Sequence, residues 1–172
     1  MTLTEALKMG EAELAKNGVP EAKLNAWYLF SYAFGCDRTS FFMDASSEAQ
    51  TDKVDQYKSF LKRRASREPL EHIIGETEFM GLSFWVNEDV LIPRQDTECL
   101  VEHVLPYVGE KRVLDLCTGS GCIGISLKVL GKCSSMTLAD ISEKALAIAG
   151  RNADRNQADV TLVQGDLFEN IT

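Results

Sequence analysis

Between residues 2 and 67 the apolar positions recur at helical spacing. Leu3, Leu7 and Leu14, with Ala6 and Ala15, make one stripe. Thr2 and Glu5 precede it in the capping-box pattern, and Asn17-Gly18 ends it. Pro20 suits the first turn of a second helix, PEAKLNAWYLFSYAFG, closed by Gly35. A short segment around SFFM follows, and Ser46 or Ser47 is the expected cap of a longer helix ending near Arg64. Trp27, Tyr28, Phe30, Phe34, Phe41 and Phe42 are dense enough to form the core of a small bundle, a reading preferred here over ligand stacking.

After Pro69 the period changes. Thr77 to Val86, TEFMGLSFWV, alternates loosely around Gly81 and predicts a hairpin. In VLIPRQDTECLVEHVL, Pro93 ends the extended part and Asp96 or Thr97 can cap a helix. Leu100, Val101, Val104 and Leu105 of that helix are expected to face a core. From Arg112 onward strands and helices alternate: RVLDLC, then Ile123 to Leu130, SMTLAD, Ser142 to Asn156, and VTLVQGD. Alternation of this kind predicts right-handed βαβ units in a parallel sheet. No internal repeat and no low-complexity linker interrupts it.

Composition narrows the class. The 172 residues are 45% hydrophobic and 26% charged, as in ordinary globular proteins and unlike disordered tails. No window approaches the roughly 18 uninterrupted apolar residues of a membrane span. The mixed, charged start MTLTEALKMGEAELAKNG is not a secretory signal. Cys36, Cys99, Cys117, Cys122 and Cys133 are scattered and contain no C-x-x-C pair. They therefore predict neither a zinc site nor a disulfide framework, and point to a reducing compartment, the cytoplasm. Residues 1 to 70 balance 10 basic against 10 acidic side chains, whereas residues 71 to 172 hold 8 against 16, so the net charge of −8 sits there. A surface that grips nucleic-acid phosphates should be basic instead. The one basic cluster, KRRASR from Lys62 to Arg67, reads as a solvated face near a helix C-terminus.

The candidate chemistry lies in DLCTGSGCIG, Asp115 to Gly124. Gly119, Gly121 and Gly124 have G-x-G-x-x-G spacing between a strand and a helix. Such glycines let a ligand approach the backbone, and the helix N–H groups point at it. Asp140 ends the next strand, 19 residues after Gly121, where a carboxylate can accept both ribose hydroxyl protons. Two features favour S-adenosylmethionine over NAD. Asp115 sits inside the strand end, where it can organise the loop and reach a methionine amino group. Asp166, in QGDLF, ends the third strand 26 residues beyond Asp140, where it can accept from an adenine amino group while Leu167 or Phe168 packs on the ring. A sulfonium also suits this acidic half better than a pyrophosphate does.

Taken together, REPLEHIIGETEFMGLSFWVNEDVLIPRQDTECLVEHVL, VLDLCTGSGCIGISL, ADIS and GDLF resemble the HemK/PrmC family, methyltransferases that modify a glutamine of peptide-chain release factors in translation termination. The resemblance implies an α/β fold: a helical substrate-recognition bundle over residues 1–68, a β-hairpin linker over 69–92, and over 93–172 the first part of a Rossmann-like, class I S-adenosylmethionine-dependent methyltransferase sheet. It implies that Cys117, Thr118, Gly119, Ser120 and Gly121 wrap the methionine part of the cofactor. Asp140 would hold the ribose, Asp166 and Leu167 would border the adenine, and Arg94, Thr97 and Glu98 would line the substrate entrance. Release factors are the implied partner; no membrane and no direct nucleic-acid contact is implied. The chain departs from the family at Gln95, where a second proline is usual, and at Cys117, where the loop usually begins with glycine.

No NPPY, the family's catalytic segment, occurs in the 172 residues, so no catalytic residue is assigned and the chain alone is expected to show no turnover. His72, expected at the start of the hairpin, and His103, on a helix, read as surface or packing residues. Ser120 has no His/Asp partner in the pattern and is not read as a nucleophile. Two other readings remain open at this level. An adenine-amino methyltransferase acting on DNA or RNA would share the N-P-P-Y logic, and a non-catalytic docking module would use the sheet only as scaffold.

Overall fold

The structure, a computed structural model, describes residues 1–171; Thr172, the last residue of the expected methyltransferase segment, lies outside them. The chain divides into two compact units, Met1–Ile74 and Gly75–Thr172.

The first unit is helical: α1 Leu3–Lys16, α2 Ala22–Phe34, α3 Arg38–Asp44, α4 Thr51–Ala65 and α5 Leu70–Ile74. The capping box forms as expected, with the Glu5 N–H donating to Thr2 Oγ1 at 3.2 Å and the Thr2 N–H to Glu5 Oε2 at 2.9 Å. Of the aromatics expected in the core, Phe30, Phe34 and Phe41 are buried and Trp27 packs against them, whereas Tyr28 and Phe42 are exposed. Phe30 stacks on Phe34 at 4.3 Å and meets Phe41 and Tyr57 edge-on, each at 5.5 Å. The buried Tyr57 hydroxyl donates to the Ala26 carbonyl at 3.1 Å, and burial pushes its phenol well above the usual range. Gly10 makes room for that ring, because a Cβ there would collide with the Tyr57 hydroxyl.

Several boundaries differ from those read in the sequence. The third long helix starts at Thr51, with Gln50 at its N-cap position and no side-chain cap, because Ser46 to Ala49 is occupied elsewhere. The Leu3 N–H donates to the Ser47 carbonyl at 3.1 Å and the Ala49 N–H to the Met1 carbonyl at 2.9 Å, so this segment runs beside the N-terminus. The second helix begins at Ala22 behind a left-handed Glu21, and not at Pro20. SFFM lies in α3, where Asp37 Oδ1 accepts from the Ser40 N–H at 2.8 Å. The basic cluster does end a helix, but its arginines hold the bundle together. Arg64 Nε donates to Asn25 Oδ1 at 2.8 Å, and Arg67 donates to the carbonyls of Gly18 and Asn17 at 3.0 and 3.2 Å. His72 belongs to α5 and not to the hairpin.

The second unit runs β1 Glu76–Phe79, β2 Leu82–Trp85, α6 Gln95–Val108, β3 Arg112–Leu116, α7 Cys122–Gly131, β4 Ser135–Asp140, α8 Glu143–Arg155 and β5 Thr161–Gln164. Strands β3, β4 and β5 pair in that order, parallel, with α7 and α8 as crossovers. The β1–β2 hairpin turns through Met80 (φ +54°) and Gly81 (φ +72°), the paired left-handed residues of a type I′ turn. Residues 69–92 were expected as a linker. Here α5 lies in the first unit, while Phe79 and Phe84 of the hairpin are buried in one core with Val101, Ile125, Met136 and Leu138. Helix α6 starts after Arg94, ahead of the expected caps Asp96 and Thr97. Of its expected core positions Val101 is buried, but Leu100 is 51% exposed.

Candidate functional site

The sheet's register brings the acidic strand tips together. Asp115 pairs with Leu138 on β4, and Asp140, two residues further along, pairs with Gln164 on β5. Paired positions in a parallel sheet share a face, and so do positions two apart on one strand, so Asp115, Leu138, Asp140 and Gln164 project from the same side. Two strand residues rise about 6.6 Å, so Asp140 stands one such step above Asp115. Asp166 follows Gln164 by two residues in the turn after β5. Exposure climbs along this staircase: Asp115 and Asp140 are partly buried and Asp166 is exposed.

Asp115 is turned into the glycine loop. Its Oδ2 accepts from the Thr118 hydroxyl at 2.7 Å and from the Gly124 N–H at 2.9 Å. Burial pushes its carboxyl above the usual range; those two donors pull it back, and the neighbouring Asp140 raises it further. Asp140 holds the loop from the other side. Its Oδ2 accepts from the Gly119 N–H at 2.9 Å and its Oδ1 from the Ser142 N–H at 3.0 Å. Each of these oxygens keeps a lone pair for a further donor.

The loop's conformation explains its glycines. Cys117, Gly119 and Gly121 all take positive φ, +60°, +55° and +81°. A Cβ on Gly119 would meet nothing within 4 Å, which leaves that backbone open to a ligand. On Gly121 it would stand 2.7 Å from Ile125 Cδ1, and on Gly124 it would strike Leu138 and crowd Asp115. Gly121 and Gly124 therefore serve the close packing of α7 on the sheet and α8.

A shallow cleft of about 50 Å³ lies across the tips, lined by Cys117, Asp140, Ile141, Gly165, Asp166 and Leu167 among others. It is far smaller than the roughly 300–1,000 Å³ of an enclosed ligand pocket. Two larger hollows, of about 500 and 510 Å³, lie in the helical unit, beside Met9 and Leu61 and beside Tyr28 and Arg64, and none of their lining residues belongs to the glycine turn or the strand tips. Volume does not mark this site; its chemistry does. On the cleft Ile141 and Leu167 are 67% and 55% exposed, an uncovered apolar rim suited to a flat ring, and Phe168, next in the chain, is 70% exposed.

Of the residues expected to hold a cofactor, Cys117, Asp140, Asp166 and Leu167 share the cleft, and Gly119 faces open space beside it. Thr118 and Ser120 are buried, 7% and 2% exposed, and support the loop from beneath. The Ser120 side chain bonds the Cys122 thiol, which burial pushes up to about 11. Arg94, Thr97 and Glu98 are not among the residues lining the cleft. The Arg94 carbonyl accepts from the Thr97 N–H at 2.9 Å, opening α6. Glu98 Oε1 accepts from the Met80 N–H at 2.6 Å and so fastens the hairpin turn.

Two residues escaped the sequence reading. Ile141 follows Asp140 into the cleft. Asn152, fully buried on α8, bonds both the loop and the hairpin; its only trace in the sequence is a second asparagine, Asn156, four residues on. Among the described residues no group of three or more His, Cys, Asp or Glu side chains is placed to hold a metal, and no helix is long and apolar enough to cross a membrane.

Glycine turn, parallel strands and acidic tips define the Rossmann-like α/β class of class I S-adenosylmethionine-dependent methyltransferases. Residues 94–172 match the methyltransferase small domain and residues 5–75 the PrmC N-terminal domain. Both matches, and the relatives that follow, make the chain similar to the HemK/PrmC family. It is 39% identical over 171 residues to the release factor glutamine methyltransferase of Geobacter sulfurreducens, covering 98% of this chain and 60% of that protein. Its identity to the release factor glutamine methyltransferase of Bacillus subtilis is 34% over 175 residues, again 98% of this chain and 60% of the relative. The chain thus spans about 60% of the length of these curated relatives. Among solved structures, the ribosomal protein L11 methylase of Lactobacillus delbrueckii subsp. bulgaricus shares 28% identity at a TM-score of 0.42, over 46% of this chain and 42% of its own.

Proposed function

We propose that the protein carrying this chain transfers a methyl group from S-adenosylmethionine to the side-chain amide of a glutamine in peptide-chain release factors, in the cytoplasm. The observation that carries this reading is the Asp140 carboxylate. It is fixed by the N–H groups of Gly119 and Ser142, at the floor of a cleft with an exposed acid and an uncovered apolar rim.

Bound there, the cofactor would supply an electrophilic methyl on a sulfonium. The chain's own residues bind and orient it. The free lone pairs of Asp140 accept the ribose hydroxyls. Asp166 accepts from the adenine amino group, and Leu167 and Phe168 cover the ring. The open backbone at Gly119 and the side chain of Cys117 border the methionine part. Asp115 and Thr118 act one layer below, holding the loop in its left-handed conformation. The surrounding excess of acidic groups favours a cationic ligand, and it disfavours a nucleic-acid substrate. The helical unit is the proposed release-factor recognition element, and Arg94, Thr97 and Glu98 are proposed to line the substrate entrance.

Calorimetric titration of the chain with S-adenosylhomocysteine tests the cofactor half of the proposal; saturable one-to-one binding is expected, and its absence would reject that half. Labelled methyl transfer to a release factor by the protein carrying this chain, lost when the acceptor glutamine is changed, tests the substrate half.

A further inference from the structure

Strand β2 and helix α8 meet with matched spacing. Asn152 and Asn156 lie one helical turn apart, about 6 Å along α8, and the residues they hold, Trp85 and Ser83, lie two apart on β2, about 6.6 Å. Asn156 Nδ2 donates to the Ser83 carbonyl at 2.9 Å. Asn152 Oδ1 accepts from the Trp85 N–H at 2.6 Å, and its Nδ2 donates to the Trp85 carbonyl at 3.0 Å. Arg151 and Arg155 of the same helix lie over the Trp85 ring, 4.0 and 4.5 Å from its centroid.

Asn152 does one thing more. Its second amide hydrogen goes to the Ser120 carbonyl at 2.8 Å, inside the glycine turn between Gly119 and Gly121. Every polar function of this fully buried amide is thus used: one acceptor and one donor on the hairpin, one donor on the loop. Aspartate could not donate, and a longer or apolar side chain could not bridge the two. We propose that Asn152 is a positioning residue that sets the glycine loop against the hairpin, so that cofactor occupancy of the loop is felt at Trp85.

The physical basis is preorganisation. A loop whose carbonyl is already pinned loses less freedom when a ligand binds to the neighbouring backbone. Unpinning it leaves a buried carbonyl without a donor and lets the residues around Gly119 leave their left-handed conformation. Asn156 bonds only the hairpin and its own helix, so it provides the internal contrast.

The inference rests on the cofactor reading above, and the experiment separates the two. S-adenosylhomocysteine affinity is measured by calorimetry for the unsubstituted chain, Asn152→Ala, Asn152→Asp and Asn156→Ala. The Asn152 variants should bind on the order of tenfold more weakly, and Asn156→Ala within about twofold of the parent. In the unsubstituted chain, saturation with S-adenosylhomocysteine should slow amide exchange at the Trp85 N–H about tenfold more than at the Val86 N–H, which is bonded to Gly75. That second measurement does not depend on any variant folding. If the parent binds while Asn152 variants match it, or if Trp85 and Val86 slow equally, the positioning role is overturned and the cofactor reading stands. If the unsubstituted chain does not bind at all, the cofactor reading fails and takes this inference with it.

Discussion

The Gly124 N–H donates to Asp115 Oδ2 at 2.9 Å, and a Cβ placed on Gly124 would stand 3.0 Å from that same oxygen. The glycine and the carboxylate therefore specify one another. Gly124→Ala should lower unfolding stability by about 1–3 kcal/mol through overpacking against Asp115 and Leu138. It should also weaken S-adenosylhomocysteine binding by displacing α7. Urea unfolding and calorimetry read the two effects.

Asp115 predicts a pH dependence of definite sign. Burial holds its folded-state value above that of the unfolded chain, so the folded protein keeps this proton to higher pH. Ionisation of Asp115 therefore takes stability away as pH rises from the unfolded value through the folded one, and acidification restores it. Both donors, Thr118 and Gly124, address one oxygen, so Asp115→Asn can keep both bonds without the charge. The variant should gain stability relative to the parent as pH rises above about 4, with no gain at the acid end. Unfolding curves across that range check it.

Asp140→Asn should behave differently. The Gly119 and Ser142 N–H groups address its two oxygens separately, and an amide offers only one acceptor face to two donors. One bond must be lost, together with one of the hydroxyl acceptors proposed for ribose. Affinity for S-adenosylhomocysteine should fall about 10- to 100-fold, with a smaller change in unfolding free energy.

At Cys117 the backbone sits at φ +60°, which favours glycine. Cys117→Gly should raise stability by about 0.5–1 kcal/mol, the relieved left-handed strain exceeding the added freedom of the unfolded chain. Thermal unfolding measures this change.

In the helical unit, Gly10→Ala should cost about 1–3 kcal/mol, because the new methyl group collides with the Tyr57 ring and hydroxyl. Tyr57→Phe, which removes the hydroxyl's bond to the Ala26 carbonyl and leaves that carbonyl its helical partner, should cost about 1 kcal/mol. Denaturant titration of both variants checks the order.

The parallel sheet was legible because strands buried by crossover helices write themselves as short apolar runs. SMTLAD is β4 residue for residue, and RVLDLC overruns β3 only by Cys117. The glycine turn and Asp140 were legible because left-handed backbone and a strand-end acid leave a spacing in the sequence. What α8 does was not. An asparagine whose three hydrogen bonds reach 67 and 32 residues away reads, on its own helix, like any solvated polar side chain. For the same reason the hairpin read as a linker: its ties to α8 and to the core are long-range. Ser120 looked like a ligand contact because its neighbours are glycines, but the turn rotates its side chain towards Cys122. The start of α4 moved because Ser46 and Ser47, good caps by residue type, lie in a segment already paired with the N-terminus.

The staircase of strand tips constrains how this chain can change length. Dropping one residue from β4 would swing Asp140 to the far side of the pleat, out of reach of the Gly119 amide. Dropping two would keep its orientation but sink it to the height of Asp115. Neither leaves a usable tread, so natural length variation in this region should collect in the loops that follow the helices, where neither parity nor height is counted.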